Sequence, residues 1–96
     1  MRNRYLAAYD IMDPDRLRVM RRTMLGFGEP LQYSVFLCEL SAKEKVLLVS
    51  AVTDVMNMAE DRVLIVDLGP VGGRGDECIE FLGRSQDLPE RGSVVL

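Results

Sequence analysis

The sequence predicts an α+β domain of βαββαβ order, the split-βαβ or ferredoxin-like sandwich, with extra strand material at the C-terminus and both helices on one face of the sheet. Three observations predict it. Residues 4 to 11 and 62 to 68 are strand-like runs, the first alternating its side chains with a period of two. Asp13-Pro14, and Ser41 with Glu44 three residues later, are helix starts placed directly after strand-like runs. Residues 29 to 40, EPLQYSVFLCEL, are about twice the mean strand length, so they divide into two short strands with a bend between them.

In the first strand Leu6, Ala8 and Asp10 share one face, and Tyr5, Ala7, Tyr9 and Ile11 share the other. Both faces are mainly apolar, yet the helices cover only one of them. On so small a domain, packing sheet to sheet in a two-fold homodimer is the simplest way to cover the second. Asp13 then caps a helix with Pro14 in its first position, running to about Phe27. Leu17, Met20, Met24 and Phe27 form its apolar stripe; Arg18, Arg21 and Arg22 cluster opposite, with Arg16 between the two sides. Gly26 and Gly28 are expected to stop it. Ser41 and Glu44 form a capping box for a second helix, whose Val46, Leu47, Val49, Val52, Val55 and Met56 supply apolar contact through about Asn57.

After the strand RVLIVDL, residues 69 to 76, GPVGGRGD, read as a mobile loop. It lacks the Lys-Ser/Thr of a phosphate-binding loop, and its R-G-D carries no functional weight. Residues 78 to 83 read as a last short strand. The tail, residues 84 to 96, ends in Ser-Val-Val-Leu, a segment able to pair with a sheet edge, the edge of a partner included. The whole is a single domain, 1–96, with its core between about residues 4 and 83.

Composition narrows the chemistry. The 96 residues contain no histidine, and Cys38 and Cys78 are too far apart for a C-x-x-C site, so zinc ligation and thiol–imidazole catalysis lack their parts. Both cysteines read as small core hydrophobes. Carboxylates, a metal-bound water or an activated hydroxyl are left to do any chemistry. A net charge of −3 argues against a polyanion binder held by bulk charge. Residues 16 to 22, RLRVMRR, nevertheless hold four arginines and no acid, either as a solvated helix face or as a stripe for nucleic-acid phosphates. No run of 18 apolar residues predicts a membrane span, and the N-terminus reaches charge too soon for a signal-peptide core, so the expected location is cytoplasmic. Asp13 is explained by capping and Asp15 by the helix dipole. Asp10, inside the apolar run, reads on the sequence alone as a polar strand end exposed to solvent.

Y-D-I closing the first strand, D-P-D-R-L-R opening the helix, G-F-G-E-P-L-Q-Y-S-V-F-L-C-E-L in the middle and R-V-L-I-V-D-L later occur in an order that resembles a known family. It is the small CRISPR-associated adaptation protein, "Cas two", that accompanies the Cas-one integrase in spacer acquisition. The resemblance covers residues 5 to about 83. It implies a ferredoxin-like homodimer whose strand-end aspartates, here Asp10, face each other across the two-fold axis. It also implies two jobs: metal-dependent endonuclease on RNA or double-stranded DNA, and DNA-supporting centre of the integration complex. The alternatives are a stand-alone ribonuclease toxin of the virulence-associated D type and a purely structural DNA-binding adaptor. One departure stands out, because similar proteins commonly carry an arginine two residues ahead of the glutamine and this chain has Pro30 there. Arg16 or Arg18 would then take over phosphate binding.

If two Asp10 carboxylates stand about 5 Å apart at an effective dielectric near 20, they repel by roughly 3 kcal/mol, or about two pK units. A shared Mg2+ or Mn2+ relieves that repulsion and retains waters and open positions for substrate phosphate. The expected site is therefore Asp10 as catalytic and metal-binding group, with Arg16, Arg18, Arg21 and Arg22 on nucleic acid, duplex DNA or single-stranded RNA. Ser34 and Phe36 are expected to approach Asp10 from the neighbouring strand, one as a hydrogen-bonding group and the other as an apolar wall. Tyr9 points to the opposite face.

Overall fold

The structure is a computed structural model that describes residues 1–84. Its elements are β1 (Asn3–Asp10), α1 (Pro14–Leu25), β2 (Gly28–Gln32), β3 (Val35–Leu40), α2 (Ala42–Val55) and β4 (Arg62–Pro70), followed by a 3-10 turn at Arg74–Glu77. The four strands form an antiparallel sheet in the order β2-β3-β1-β4, so β1 lies inside it between β3 and β4. This is the ferredoxin-like arrangement expected.

Local chemistry sets the helix ends. The Asp13 carboxylate accepts from Arg16 N at 2.9 Å with Pro14 in the first turn, and α1 ends at Leu25, short of the expected Phe27. Gly28 does not stop the helix. It opens β2, where a Cβ would stand 2.4 Å from the Leu37 carbonyl oxygen and 2.6 Å from Cys38 Sγ, so this position needs glycine for its approach to β3. In the capping box of α2, Glu44 N donates to Ser41 Oγ at 3.2 Å and Ser41 N donates to Glu44 Oε1 at 2.9 Å. That backbone amide of Ser41, with the Arg2 guanidinium nearby, holds the Glu44 carboxyl below its ordinary range.

Both helices lie on one face. α1 buries Met20 and Met24 as expected. α2 instead packs through Leu48 and Val52, with Val55 and Met56 beside them, and leaves the expected Val46, Leu47 and Val49 exposed, because at 100° per residue 48, 52 and 55 share one side of the helix. Tyr5, Ala7, Tyr9 and Ile11 of β1 and its continuation pack with Phe36, Cys38, Leu40, Met20, Met24, Leu48 and Val52. Burial pushes the Cys38 thiol up to about 11, and the side chain serves as a small core hydrophobe. The other face is open in the single chain. Cross-strand partners share a face, so the register writes its rows directly: Leu37, Leu6 and Val66; Val35, Ala8 and Leu64; then Asp10 with Arg62. Leu64 is 59% exposed and Val66 39%.

The C-terminal part departs from expectation. β4 continues to Pro70, and the R-G-D segment is folded into the 3-10 turn, where Asp76 Oδ1 lies 3.0 Å from Nε of the buried Arg4. Gly75 packs so tightly on Leu68 that a Cβ would fall 1.8 Å from its carbonyl oxygen. These contacts replace the expected mobile loop. Residues 78–83 form no strand: among the described residues they pair with neither edge of the sheet, β2 or β4. Cys78 is exposed rather than in the core, its Sγ 3.4 Å from the Arg74 carbonyl oxygen. The expected tail pairing falls on residues 85–96, outside those described.

Candidate functional site

β1 carries Asp10 to the end of the open sheet face, where the two apolar rows give way to charge. Directly across β4 is Arg62, whose Nη2 donates to Asp10 Oδ2 at 3.2 Å. Both side chains are mostly exposed, 65% for Asp10 and 86% for Arg62, so the pair is held in water and exchanges easily with other ions. Beside it opens a hollow of about 600 Å³ lined by Ala8, Tyr9, Asp10, Met56, Met58, Asp61, Arg62, Val63 and Leu64. A carboxylate, a guanidinium and an apolar wall therefore meet at one accessible place.

The backbone under this site is fixed by Asp61, whose side chain is fully buried. Its carboxylate accepts from Met12 N at 2.9 Å, from Asn57 N at 2.8 Å, and from Arg16 Nε and Nη2 at 2.8 and 3.1 Å. Four donors satisfy a buried charge that would otherwise be expensive. The Arg16 guanidinium, foremost among them, holds the Asp61 carboxyl well below the usual carboxylate range. The clip joins the exit of β1, the first turns of α1, the exit of α2 and the start of β4. It thereby sets Arg62, the next residue, opposite Asp10.

The expected site residues fall into three groups. Arg16 spends its donors inside the fold, on Asp61 and on Glu60 Oε1 at 2.9 Å. Arg18 and Arg22 stand on the exposed side of α1, Arg18 paired with Asp15 on the same helix. Arg21 turns to the β2–β3 hairpin, with its guanidinium carbon 5.8 Å from the ring centroids of both Tyr33 and Phe36. Ser34 and Phe36 do not stand beside Asp10. Phe36 is the register partner of Ala7 and lies fully buried on the helix side, stacked on Tyr9 at 6.1 Å between centroids. Ser34 sits in the hairpin turn and meets β1 through its carbonyl, which accepts from Tyr9 N at 3.1 Å. The alternation that put Tyr9 opposite Asp10 applies to the partner strand as well; the neighbours on the Asp10 face are Val35 and Leu37.

Arg62 and Asp61 are positions at the candidate site that sequence reasoning missed. The signal for Arg62 was present: the last strand starts there, and an antiparallel partner of β1 must set its first residue against the last of β1. Asp61 carried none, since its four donors come from three separated segments.

Related chains extend over most of this one. Residues 3–71 match the family described as CRISPR associated protein Cas2. A Geobacter sulfurreducens protein named CRISPR-associated endoribonuclease Cas2 is 44% identical over 96 residues, covering all of both chains. The Rhodospirillum rubrum protein named CRISPR-associated endoribonuclease Cas2 1 is 36% identical over 96% of this chain and 89% of its own length. Among solved structures, a hypothetical protein of Thermus thermophilus superposes with a TM-score of 0.75 at 30% identity, over 94% of this chain and all of that one. Cas2 of Streptococcus pyogenes superposes with a TM-score of 0.71 at 25% identity, over 83% of this chain and 99% of that one. With the family match over residues 3–71 and these identities along nearly the whole chain, the chain belongs to the Cas2 family of CRISPR-associated proteins.

Proposed function

We propose that this chain is a divalent-cation-dependent endonuclease that cuts RNA phosphodiesters, working as a two-fold homodimer that brings two Asp10 carboxylates to one site. The observation that carries the reading is the placement of Asp10: exposed, at the end of the open apolar face, and among the described residues paired only with an exposed arginine at 3.2 Å. The names of the Geobacter and Rhodospirillum relatives supply the reaction class.

The donor set fits magnesium or manganese of the sparse kind. Among the described residues no three acidic, cysteine or histidine side chains gather, so one chain offers a single carboxylate, and a second copy supplies the other. Magnesium accepts one or two carboxylates because it keeps several waters and takes oxygens from substrate phosphate. Bound there, the cation would supply phosphoryl polarisation and a water acidic enough to attack near neutral pH. Asp10 anchors it, Arg62 offers a second positive charge to the scissile phosphate, and the Asp61 clip keeps the two in register.

A second reading is a DNA-supporting adaptor beside a Cas-one type integrase, favoured by Arg18 and Arg22 on the exposed side of α1. Cleavage of labelled single-stranded RNA and duplex DNA, with magnesium, manganese or chelator, separates the two. The nuclease reading expects metal-dependent cutting that Asp10→Ala abolishes and Asp13→Ala, which removes only a helix cap, retains. Duplex binding without cutting by any variant transfers the function to the adaptor.

A further inference from the structure

The β2–β3 hairpin turns at Tyr33-Ser34, and the Tyr33 ring stands 69% exposed at its tip. A solitary exposed tyrosine is ordinary. This one is backed by a fixed cation: Arg21 Nη1 donates to the Tyr33 carbonyl at 3.2 Å, and the same guanidinium lies 5.8 Å from the Tyr33 ring centroid and 5.8 Å from that of the fully buried Phe36. Seated between a core ring and a surface ring, Arg21 restrains Tyr33 before any ligand arrives. An aromatic surface held this way has less side-chain freedom to lose on binding.

Its place in the sheet matters equally. The β1–β3 register pairs Ala8 with Val35, and Tyr9 N donates to the Ser34 carbonyl, so one further step sets the backbone of Asp10 abreast of Tyr33. On the other side of β1, Asp10 pairs with Arg62. The hairpin tip, the carboxylate and the second arginine thus lie at one end of three adjacent strands, the Asp10 carboxylate on the open face and the Tyr33 ring beside Arg21 and Phe36 toward the helix side, so a single strand that touches both passes round that end.

We infer that Tyr33, backed by Arg21, is a stacking platform for an unpaired nucleobase, and that it selects single-stranded RNA over duplex for the Asp10 site. The inference rests on the nuclease reading and names its substrate class. An exposed aromatic face with a cation behind it suits a π-surface joined to a phosphate, which is what an unpaired nucleotide presents. A duplex keeps the faces of its interior bases inside its own stack and offers none along its length.

The test is binding in chelator, where nothing is cut, of a fluorescent single-stranded RNA and of the same sequence as a blunt duplex. Wild type, Tyr33→Ala, Tyr33→Phe and Asp10→Asn are compared by anisotropy. Tyr33→Ala should weaken single-strand binding about five-fold or more and leave the duplex unchanged, while Tyr33→Phe keeps most of the affinity. Since Tyr5 and Tyr9 are 7% exposed, quenching of tyrosine emission by the single strand should also vanish with Tyr33→Ala. Unchanged single-strand affinity in Tyr33→Ala, or equal loss for both nucleic acids, overturns the inference. The nuclease reading stands or falls separately: Tyr33-dependent binding with no metal-dependent cutting would sink the reading and keep the platform, whereas Asp10-dependent cutting with a silent Tyr33→Ala would do the reverse.

Discussion

Arg62 and Asp10 are a cross-strand pair in which each side chain has a competing use. Asp10 can hold the guanidinium or a divalent cation, but not both fully, because the two positive charges would then crowd one carboxylate. Arg62→Gln should therefore tighten manganese binding, read by electron paramagnetic resonance of the free ion, by about two- to five-fold, the scale of an exposed ion pair. Asp10→Asn should remove the binding, and an Arg62→Gln affinity equal to wild type would show that the pair exerts no hold. Asp61 is different in kind, because its charge is buried and satisfied rather than exposed and exchangeable. Its folded pKa lies below its unfolded value, so its contribution to stability is complete above the ordinary aspartate value near about 4 and is lost as acid protonates it. Asp61→Asn should lower the thermal midpoint by several degrees at pH 7. The wild-type and variant midpoints should then converge as the pH falls below about 4, and parallel curves down to about pH 2 would contradict the assignment.

At the scale of elements, the helices and the three strands that carry the site were legible because each is announced by local chemistry. Asp13-Pro14 and the Ser41–Glu44 box cap helices within one turn of themselves, and period-two alternation marks β1 without reference to any partner. What was not legible depends on contacts distant in sequence. The side chain at Phe36 could be assigned to a face only through its register with Ala7, and the turn around Gly75 is held by Arg4, at the other end of the chain. Residues 78–83 have strand-like composition but pair with neither edge strand of the sheet, β2 or β4. Gly26 and Gly28 show the same divide. Read locally, both end a helix; in the fold, Gly26 caps α1 with φ −77° whereas Gly28 touches β3. Gly26→Ala should accordingly change stability by less than about 1 kcal/mol in urea unfolding. Gly28→Ala should cost about 1–3 kcal/mol through overpacking, and equal effects at the two positions would return Gly28 to the role of a helix stop.

For the molecule as a whole, the open sheet face poses the remaining energetic problem. Its core face is closed by two helices, but Leu64 and Val66 remain 59% and 39% exposed beside Leu6 and Ala8, and the rows end at Arg4 with Glu39 on one side and Asp10 with Arg62 on the other. An apolar centre with charged borders has the anatomy of an interface core and rim. Covering it with a second copy would remove apolar surface from water at about 25 cal/mol per Å² while keeping the Asp10 end at the rim, reachable by substrate. The proposed dimer and the proposed site therefore share one cause. Leu64→Glu tests both, because it places a charge on the covered face, in the apolar row next to Asp10 and Arg62, without touching the helix-side core. Sedimentation at micromolar concentration should show wild type as a dimer and Leu64→Glu as a folded monomer with an unchanged circular dichroism spectrum. Metal-dependent cutting should fall with the dimer, since a monomer presents one Asp10 instead of two. A monomeric Leu64→Glu that cuts as fast as wild type would separate the chemistry from the interface and leave a single carboxylate to account for it.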